Sequence, residues 1–346
     1  MAVITVVTSA PPLTEGGHLV LARALERALR DAGHRAGIVT TPANRFGRQA
    51  RAYLATRFTD VGVTGSGERV DQVISLRFPS YAVRHPRHVC WLVHTMREYY
   101  DLWDSFSARL SRRGRLKERV RRWAIQTADT YCFRRVTGMF AISDTVRDRL
   151  ARWNGVRAKT VHPPPPQRPY RCDGYGDYLF YASRLTPLKR ADLVLRALAE
   201  PAARHVKCVV AGEGEDRARL EGLARELGLA ARVRLEGQLS DAALLDHLAR
   251  CRAVVFPPLG EDYGFVTGEA FASAKAVITC ADSGGPVELV RAGENGWVTA
   301  PDPAALARAL EEAMADAAAA ERLGRQGYTE ISRLSWADVV SKLVVV

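Results

Sequence analysis

The sequence predicts an α/β protein of two Rossmann-like, doubly wound domains that face each other across a cleft. Its first residues alternate strand, glycine loop, helix and strand, and its second half alternates short apolar runs with helical patterns. Between the halves stand four consecutive prolines, Pro163–Pro166, which cannot continue a helix or an inner strand and so predict a stiff spacer. A length of 346 residues also fits about two domains. The predicted domains are 1–162 and 171–331, with a linker over 163–170.

The opening of the chain predicts a βαβ unit. A strand, a helix and a second strand are expected at Ala2–Thr8, His18–Ala32 and Ala36–Thr41. The loop Ser9–Gly17 ends in Gly16 and Gly17, whose backbone N–H groups at a helix N-terminus can face an anion. The alternative is that the two glycines only make the turn. The loop has no G-x-G-x-x-G pattern, which disfavours a dinucleotide cofactor.

Three further strands are predicted in the first half. They are Gln72–Arg77, His88–His94 and Gly138–Ile142. His94 ends the second of these runs. A lone histidine is usually structural, but α/β sheets bind ligands at the carboxyl ends of their strands. We therefore treat His94 as a candidate site residue.

The stretch Tyr99–Tyr131 has a different character. An aromatic cluster, Tyr99, Tyr100, Leu102, Trp103 and Phe106, precedes eight basic residues between Arg109 and Arg122. A basic amphipathic segment of this kind fits contact with anionic lipid, an acidic acceptor or nucleic acid. A solvated helical face is the structural alternative, and all four interpretations stay open at this point.

Composition excludes several classes of protein. Hydrophobic residues make up 47% and charged residues 25%, which is typical of a folded chain rather than a disordered one. No apolar run reaches the ~18 residues of a membrane-spanning helix. The six cysteines are far apart and form no C-x-x-C pair, which excludes a zinc ribbon and a disulfide scaffold. We therefore expect a soluble cytoplasmic protein, with peripheral contact at an anionic inner membrane face through residues 109–122 as one option.

The positive charge is concentrated in the first half. Residues 1–170 contain 29 Lys and Arg against 13 Asp and Glu, whereas residues 171–346 contain 21 against 25. The asymmetry favours an anionic partner for the first domain. Because 44 of the 50 basic residues are Arg, a GC-rich genome explains the excess equally well.

The second half alternates strands and helices more regularly. Strands are predicted at Tyr178–Ala182, Lys207–Ala211, Val233–Glu236, Ala253–Pro257, Ala276–Cys280 and Gly296–Thr299. Helices are predicted at Ala191–Leu198, Arg217–Leu227, Asp241–Ala249, Gly268–Ala274, Pro286–Ala292 and Pro303–Met314. This order predicts a second Rossmann-like sheet, and the cleft between two such domains is the default ligand site.

Four charged residues of the second half are candidates for chemistry. Arg184 and Lys189 are five positions apart across a strand–helix junction, where two cations suit a pyrophosphate. Glu261 and Glu269 are eight apart and bracket an aromatic-glycine turn. Glu269 is predicted to open a helix and accept ribose hydroxyls, with Glu261 within reach of sugar hydroxyls. The structural alternative is a solvated Glu261 and a first-turn helical carboxylate at Glu269.

The order of motifs in this half resembles a known family. The segments are YASRLTPLKRADL, VVAGEGED, VRLEGQLSDAALL, VVFPPLGEDYGFVTGEAFASAKAVI and SGGPVELV. In this order and spacing they are similar to the retaining GT-B glycosyltransferases of family 4, the glycosyl transferases group 1. The resemblance covers most of residues 178–315. Over residues 1–160 it is looser and consists of the opening strand, the Gly16-Gly17 pair and the strand ending in His94.

The resemblance implies roles for individual residues. Arg184 and Lys189 would hold the donor diphosphate, and Glu269 would take the ribose hydroxyls. Glu261 would contact the donor sugar, and His94 would lie near the reacting centre, so these two are the implied catalytic residues. Backbone contacts to the sugar and the phosphates would come from Gly16, Gly17, Tyr263, Gly264, Phe265 and Val266.

The implied reaction moves a sugar from a nucleotide sugar to a hydroxyl acceptor with retention at the anomeric carbon. A UDP-sugar is the expected donor and a GDP-sugar the alternative. Because the sequence has no Asp-x-Asp motif, fixed cations would replace a metal, and no metal or cofactor is expected. The last residues, 332–346, would form a helix that crosses back onto the first domain.

Two other functions are weighed against this one. A sugar-nucleotide epimerase of the same fold would release an epimerised donor without an acceptor. A nucleic-acid-binding protein would use the basic first half and bind with a steep salt dependence. The sequence lacks helix-turn-helix, RRM and zinc-finger patterns, so no nucleic-acid partner is expected.

Overall fold

The computed structural model describes residues 1–11, 16–43 and 47–346 and divides the chain into two compact units. Unit 1 comprises Met1–Pro163 together with Ser335–Val346, and unit 2 comprises Pro164–Leu334. The chain therefore leaves unit 1 inside the proline run, and residues 164–170 belong to unit 2. Residues 12–15 of the predicted glycine loop lie outside the described residues.

Unit 1 is an α/β sandwich around a parallel sheet. Its strands are β1 (Val3–Ala10), β2 (Arg35–Pro42), β3 (Gln72–Ser75), β4 (His88–Leu92), β5 (Gly138–Ala141) and β6 (Lys159–Thr160). Its helices before the proline run are α1 (Gly17–Asp31), α2 (Gln49–Arg57), α3 (Trp103–Ala108), α4 (Arg112–Phe133) and α5 (Asp144–Asn154). Short 3-10 turns lie at Ser80–Ala82 and Arg97–Tyr99.

The strand order in the described part of unit 1 is β2-β1-β3-β4-β5-β6, with every pair parallel. The inner strands β1, β3 and β4 are buried along almost their whole length, as expected for parallel strands that are covered on both faces. The chain reverses its direction across the sheet between β1 and β3. The carboxyl edge at this reversal is where open α/β sheets bind their ligands.

The aromatic and basic stretch is an integral part of unit 1. Tyr99 is buried, and its hydroxyl donates to Oε2 of Glu118 on α4 at 2.7 Å. The Arg122 guanidinium lies 4.8 Å from the ring centre of Trp103 and 5.3 Å from that of Trp153. One face of α4 is therefore fixed by packing, and only its outer face is left for a partner.

A buried carboxylate on α4 was not predicted from the sequence. Asp129 is fully buried and accepts hydrogen bonds from the hydroxyls of three tyrosines, with Tyr81 at 2.5 Å, Tyr100 at 2.6 Å and Tyr53 as the third. Burial raises the pKa of Asp129 well above its usual range. The three donors come from separate segments of the chain, so this carboxylate ties them together.

Unit 2 contains a second parallel sheet. Its strands are β7 (Leu179–Ala182), β8 (Cys208–Ala211), β9 (Val233–Gly237), β10 (Val254–Val255), β11 (Val277–Cys280) and β12 (Gly296–Thr299). Its helices are α6 (Ala191–Ala199), α7 (Arg217–Glu226), α8 (Asp241–Arg250), α9 (Phe265–Ala272), α10 (Gly285–Leu289), α11 (Pro303–Ala315) and α12 (Ala317–Ile331). Short 3-10 turns lie at Pro187–Lys189 and Pro201–Ala203.

The core of unit 2 lies on both faces of this sheet. In β7, Leu179 and Tyr181 belong to one buried cluster and Phe180 to the other, because successive side chains of a strand point to opposite faces. The first cluster contains residues of α6, α7 and α11, and the second contains residues of α8 and α9. Ser240 and Asp302 cap the N-termini of α8 and α11, accepting from backbone N–H groups at 3.2 and 2.9 Å.

The last helix, α13 (Trp336–Leu343), belongs to unit 1. The Gln72 side chain at the start of β3 donates to the carbonyl of Leu343 at 2.7 Å and accepts from the N–H of Val345 at 2.9 Å. The Trp336 ring lies edge-on to the buried Trp91 ring of β4, with ring centres 6.3 Å apart. Both contacts hold the C-terminal segment against strands of unit 1.

Candidate active site

In unit 2 the chain reverses its direction across the sheet between β7 and β10. The described strands are ordered β12-β11-β10-β7-β8-β9, so the loops after β7 and β10 diverge at the carboxyl edge. We call this position the switch point of the sheet, and it is where open α/β sheets bind ligands. Arg184 and Lys189 follow β7, and Glu261 follows β10. Three of the four predicted charged residues are thus placed in the two loops of the switch point.

Lys189 and Glu261 are in direct contact. Nζ of Lys189 lies 2.5 Å from Oε2 of Glu261, and the two side chains are 14% and 19% exposed. The same ammonium lies 5.5 Å from the ring centre of Phe256, the residue after β10. The predicted phosphate-binding cation and the predicted sugar-binding carboxylate therefore occupy one site.

Arg184 is exposed and differs from Lys189, whose side chain is in contact with Glu261. Within residues 1–11, 16–43 and 47–346 its side chain forms no hydrogen bond or ion pair. Its backbone is held, since the N–H of Thr186 donates to the Arg184 carbonyl at 3.0 Å. A guanidinium in this state is available to an anionic ligand.

Arg190 was not singled out from the sequence, yet it holds the two loops of the switch point together. Its guanidinium donates to the carbonyls of Pro257 and Pro258, each at 2.7 Å, and to both carboxylate oxygens of Asp282, at 2.9 and 2.6 Å. The residue adopts a left-handed backbone with φ +51°. Since the loop after β10 carries Glu261, we assign Arg190 a positioning role. Nothing in the spacing of the sequence distinguishes it from its neighbour Lys189.

The turn around Glu261 is fixed by the loop after β11. The N–H of Glu261 donates to the carbonyl of Ser283 at 2.8 Å, and the N–H of Gly285 donates to the carbonyl of Glu261 at 2.9 Å. A Cβ at Gly284 would lie 2.5 Å from the Glu261 carbonyl oxygen, and one at Gly285 would lie 2.4 Å from Cα of Tyr263. The Gly-Gly pair is therefore needed for the close approach of these two loops.

The helix after this turn begins earlier than predicted. α9 starts at Phe265 instead of Gly268, because Gly264 ends the loop with φ +79°, a conformation that glycine adopts without strain. The prediction that Glu269 opens the helix is therefore wrong, and Glu269 is its fifth residue. The first N–H groups of a helix have no intrahelical partner, so those of Phe265 and Val266 are donors at the α9 N-terminus. Tyr263 is buried against the Phe265 ring, with ring centres 5.3 Å apart.

Glu269 has partners that the sequence did not reveal. Its Oε1 accepts from Nη1 of Arg168 at 2.9 Å and from the hydroxyl of Tyr170 at 3.2 Å, and the residue is 7% exposed. Both partners belong to the predicted linker, which is therefore part of the site. Burial raises the pKa of the Glu269 carboxyl, and the Arg168 charge and the Tyr170 hydrogen bond offset part of that rise.

In unit 1 the predicted glycines and His94 lie at the carboxyl edge of the sheet. Gly16 is the N-cap of α1, and Gly17 is the first residue of the helix. Nε2 of His18 lies 2.9 Å from Nη1 of Arg77, which follows β3, so two basic side chains not singled out from the sequence meet at the switch point of this unit. His94 follows β4, and its Nδ1 lies 2.8 Å from the Thr95 carbonyl oxygen.

Residues 1–11, 16–43 and 47–346 contain no group of three or more His, Cys, Asp or Glu side chains that is arranged to hold a metal ion. Among the same residues, no helix has the length and hydropathy required to span a membrane.

Residues 171–330 match the family model of the glycosyl transferases group 1. This domain is a group 1 glycosyltransferase domain. The chain is 34% identical over 180 residues to a D-inositol 3-phosphate glycosyltransferase of Thermomonospora curvata, a match that covers 49% of this chain and 42% of that protein. A protein of the same description from Streptomyces avermitilis is 32% identical over 172 residues, covering 46% of this chain and 37% of its own. The chain thus spans less than half the length of these relatives.

The fold of the whole chain, not only of the group 1 glycosyltransferase domain, resembles that of solved structures. Sucrose-phosphate synthase of Thermosynechococcus elongatus superimposes with a TM-score of 0.77 at 17% identity, covering 98% of this chain and 96% of that one. Anabaena HepE, solved with UDP and glucose, gives a TM-score of 0.69 at 15% identity, with 98% of both chains covered. At such identities the likeness concerns the fold. The predicted fold class, GT-B with two Rossmann-like parallel sheets, is confirmed.

The resemblance to group 1 glycosyltransferases is also confirmed. The two alternatives weighed from the sequence, a sugar-nucleotide epimerase and a nucleic-acid-binding protein, are not supported. The residues that carry the assignment are those of unit 2, where the family model matches.

Proposed function

We propose that this protein is a retaining glycosyltransferase of family 4 that moves a sugar from a nucleotide sugar to a hydroxyl acceptor. The observation that carries the proposal is the Lys189–Glu261 ion pair at the switch point of a group 1 glycosyltransferase domain. A cation for the phosphates and a carboxylate for the sugar hydroxyls then lie within one hydrogen bond of each other.

The donor diphosphate is assigned to Lys189, Arg184 and the N-terminus of α9. A diphosphate carries more negative charge than a carboxylate, so it competes with Glu261 for the Lys189 ammonium. Glu261, released from the ion pair, is then free to accept hydrogen bonds from the donor sugar. The N–H groups of Phe265 and Val266 add donors whose helix dipole favours an anion.

The ribose hydroxyls are assigned to Glu269. Both hydrogen bonds that fix this side chain are accepted by Oε1, from Arg168 and Tyr170. Among the described residues no donor is bonded to Oε2, which leaves that oxygen for a ligand. Arg168 and Tyr170 thereby orient the carboxylate, and their hydrogen bonds offset part of the desolvation cost of its charge at a nearly buried position.

In the proposed reaction the bond between the anomeric carbon and the phosphate oxygen breaks, and the nucleoside diphosphate leaves. The acceptor hydroxyl attacks the same face of an oxocarbenium-like transition state, and its proton passes to the leaving phosphate. Lys189 and Arg184 stabilise the negative charge that grows on that phosphate, so no metal is required. Contributions of Gly16, Gly17 and His94 to the diphosphate and the reacting centre stay predictions.

We take a UDP-sugar as the first donor to test and a GDP-sugar as the second. The HepE structure of the same fold was solved with UDP and glucose, which supports this order. The acceptor is proposed only as a hydroxyl compound.

Peripheral contact with an anionic membrane through residues 109–122 is part of the proposal. On α4, Leu116 and Val120 are 63% and 61% exposed and one helical turn apart. Basic residues surround them, among them the exposed Arg113 and Arg119. An exposed apolar pair framed by cations suits the interface of an anionic bilayer.

The proposal is tested by transfer assays on the full chain with UDP- and GDP-sugars and a panel of hydroxyl acceptors. Acceptor-dependent release of nucleoside diphosphate is expected, unchanged by a metal chelator, and the product should keep the anomeric configuration of the donor in proton NMR spectra. An inverted product, loss of activity with the chelator, or an epimerised donor in the absence of acceptor would contradict it.

A further inference from the structure

A cavity of about 450 Å³ opens in unit 1 at the amino end of β4. We call it the basic cavity and define it by Arg57, Arg84, His85, Tyr131 and Arg135. His88, the first residue of β4, also lines it, whereas His94 follows the opposite end of that strand. Six residues at about 3.3 Å each place these ends on the order of 20 Å apart. The basic cavity is therefore separate from the carboxyl edge at which His94 lies.

The charge of the basic cavity is uniformly positive. Three guanidinium groups line it, from Arg57, Arg84 and Arg135, and no Asp or Glu is among its described lining residues. None of the three forms an ion pair within the described part of the chain. The buried His88 adds no charge near neutral pH, because burial lowers its pKa to about 4.

Two of the arginines are oriented by the protein before any ligand binds. Arg135 lies over the Tyr131 ring, 4.4 Å from its centre, and Nη1 of Arg57 donates to the carbonyl of Ala82 at 3.4 Å. They come from different segments, the end of α2 and the residues after α4, yet both act on the Cys132 thiol. Burial raises the pKa of Cys132 to about 12, and both arginine charges oppose that rise.

A second cavity, of about 630 Å³, adjoins the first along α4. The two share Tyr131 and Arg135, and the second is also lined by Arg134 and by Trp123, which is 69% exposed. A ligand whose anionic group lies among the three arginines therefore has an aromatic, partly apolar surface beside it for the rest of its body.

We propose that the basic cavity binds a phosphate-bearing anion. Guanidinium groups match phosphate oxygens with paired hydrogen bonds, and several of them converging without a carboxylate select an anion over a cation. The phosphate belongs to a soluble phosphate compound or to the headgroup of an anionic lipid, and both present the same group to the arginines. The inference goes beyond glycosyl transfer, whose donor diphosphate is assigned to unit 2.

The experiment uses the full chain with Lys189→Ala as its background, so that pyrophosphate binding at the proposed donor site of unit 2 is weakened. Into this background we place Arg84→Gln with Arg135→Gln, two exposed residues of the basic cavity. The control pair, Arg51→Gln with Arg157→Gln, removes the same charge from exposed positions of unit 1 outside both cavities. Inorganic pyrophosphate is titrated by calorimetry, and vesicles of phosphatidylglycerol or phosphatidylcholine are used in sedimentation assays.

Binding of pyrophosphate or of phosphatidylglycerol vesicles is expected in the background protein, weakened at least about tenfold by the cavity pair. The control pair is expected to change it by less than about twofold. Loss of pyrophosphate binding in the cavity pair identifies a soluble ligand. Loss confined to phosphatidylglycerol vesicles identifies a lipid headgroup in the basic cavity, because the proposed vesicle contact through residues 109–122 is unchanged in both pairs of variants. Binding in neither arm, or equal loss in both pairs of variants, would overturn the proposal. Glycosyl transfer is assayed separately with Lys189 intact, so the failure of one proposal is distinguishable from that of the other.

Discussion

Lys189 and Glu261 are 72 positions apart in the chain, and their side chains form an ion pair with 2.5 Å between Nζ and Oε2. The loops after β7 and β10 bring them together at the switch point of unit 2. In the proposed function, ligand binding replaces this ion pair with two interactions: an ion pair between Lys189 and the phosphate, and hydrogen bonds from the sugar hydroxyls to the Glu261 carboxylate. The consequence is that the two residues have opposite effects on nucleotide affinity.

Glu261→Gln is expected to leave nucleoside diphosphate affinity unchanged or to raise it by up to about fivefold, because the competitor for Lys189 is removed. The transfer rate is expected to fall, since the neutral amide no longer accepts from the sugar as a charged group does. Calorimetry and a transfer assay on the same preparation measure the two effects. Weaker nucleotide binding in Glu261→Gln would contradict the competition.

Replacement of Arg190 and replacement of Arg184 are expected to differ in their effect on the free energy of unfolding. Arg190→Ala leaves the Pro257 and Pro258 carbonyls and the Asp282 carboxylate without their donor, so the free energy of unfolding should fall by about 2–4 kcal/mol. Arg184→Ala should change it by less than about 0.5 kcal/mol, because its side chain has no protein partner in the described residues. Urea unfolding measures both.

The affinity of the two variants for a nucleoside diphosphate is measured alongside their stability. Arg184→Ala is expected to weaken nucleoside diphosphate binding although the fold is intact. If Arg190→Ala destabilised the protein no more than Arg184→Ala does, the positioning role assigned to Arg190 would be wrong.

Glu269 predicts a pH dependence of stability. Its pKa is raised in the folded protein above the ordinary value of 4.5, so the folded state binds more protons than the unfolded state between these two values. The contribution of this group to stability therefore decreases as pH rises through that interval. Glu269→Gln removes the titration, so its unfolding free energy relative to the natural protein should increase with pH from about 4.5 upwards and then level off.

Denaturant unfolding at a series of pH values tests this sign. Glu226→Gln, which makes the same substitution at an exposed position at the end of α7, serves as the control. A difference for Glu269→Gln that decreases with pH would mean that Arg168 and Tyr170 outweigh burial at this carboxylate.

The outer face of α4 predicts binding to anionic vesicles. Leu116→Glu with Val120→Glu should reduce sedimentation with phosphatidylglycerol vesicles by at least about fivefold, since it replaces the apolar contact with like charge. Leu54→Glu with Phe58→Glu, at exposed positions of unit 1 outside α4, serves as the matched control and should retain binding. Equal sedimentation of both pairs would contradict a contact through 109–122.

Apart from β6, which was not predicted, the described strands were predictable from the sequence because parallel strands are buried on both faces. Gly296–Thr299 was predicted with the same bounds as β12, and Val233–Glu236 differs from β9 by one residue. Several helices were harder, and α2, α3, α5 and α12 were not predicted. Of its hydrophobic residues α2 buries Ala52, so its apolar periodicity is weak. The start of α9 was missed because Gly264 terminates the loop through its backbone φ, which the residue type alone does not reveal.

Within the site, the candidate residues were predictable from motif spacing, but their partners were not. Glu269 is bonded to Arg168, 101 positions away, and Lys189 to Glu261, so both pairs depend on the strand order of the sheet. Arg190 follows Lys189 in the chain, yet the Arg190 side chain connects the loops after β7 and β10, whereas the Lys189 side chain contacts Glu261. The left-handed backbone at Arg190, which its residue type does not predict, is one difference between the two positions.

Calorimetric titration of UDP and GDP into the natural protein, Lys189→Ala and Lys207→Ala tests the central claim most directly. Lys207 is the control, since it forms an exposed ion pair with Asp177 in the same unit. The better-bound nucleotide should lose affinity on the order of 10- to 100-fold in Lys189→Ala and keep it in Lys207→Ala. Equal affinity in the two variants would contradict the assignment of the donor phosphates to Lys189.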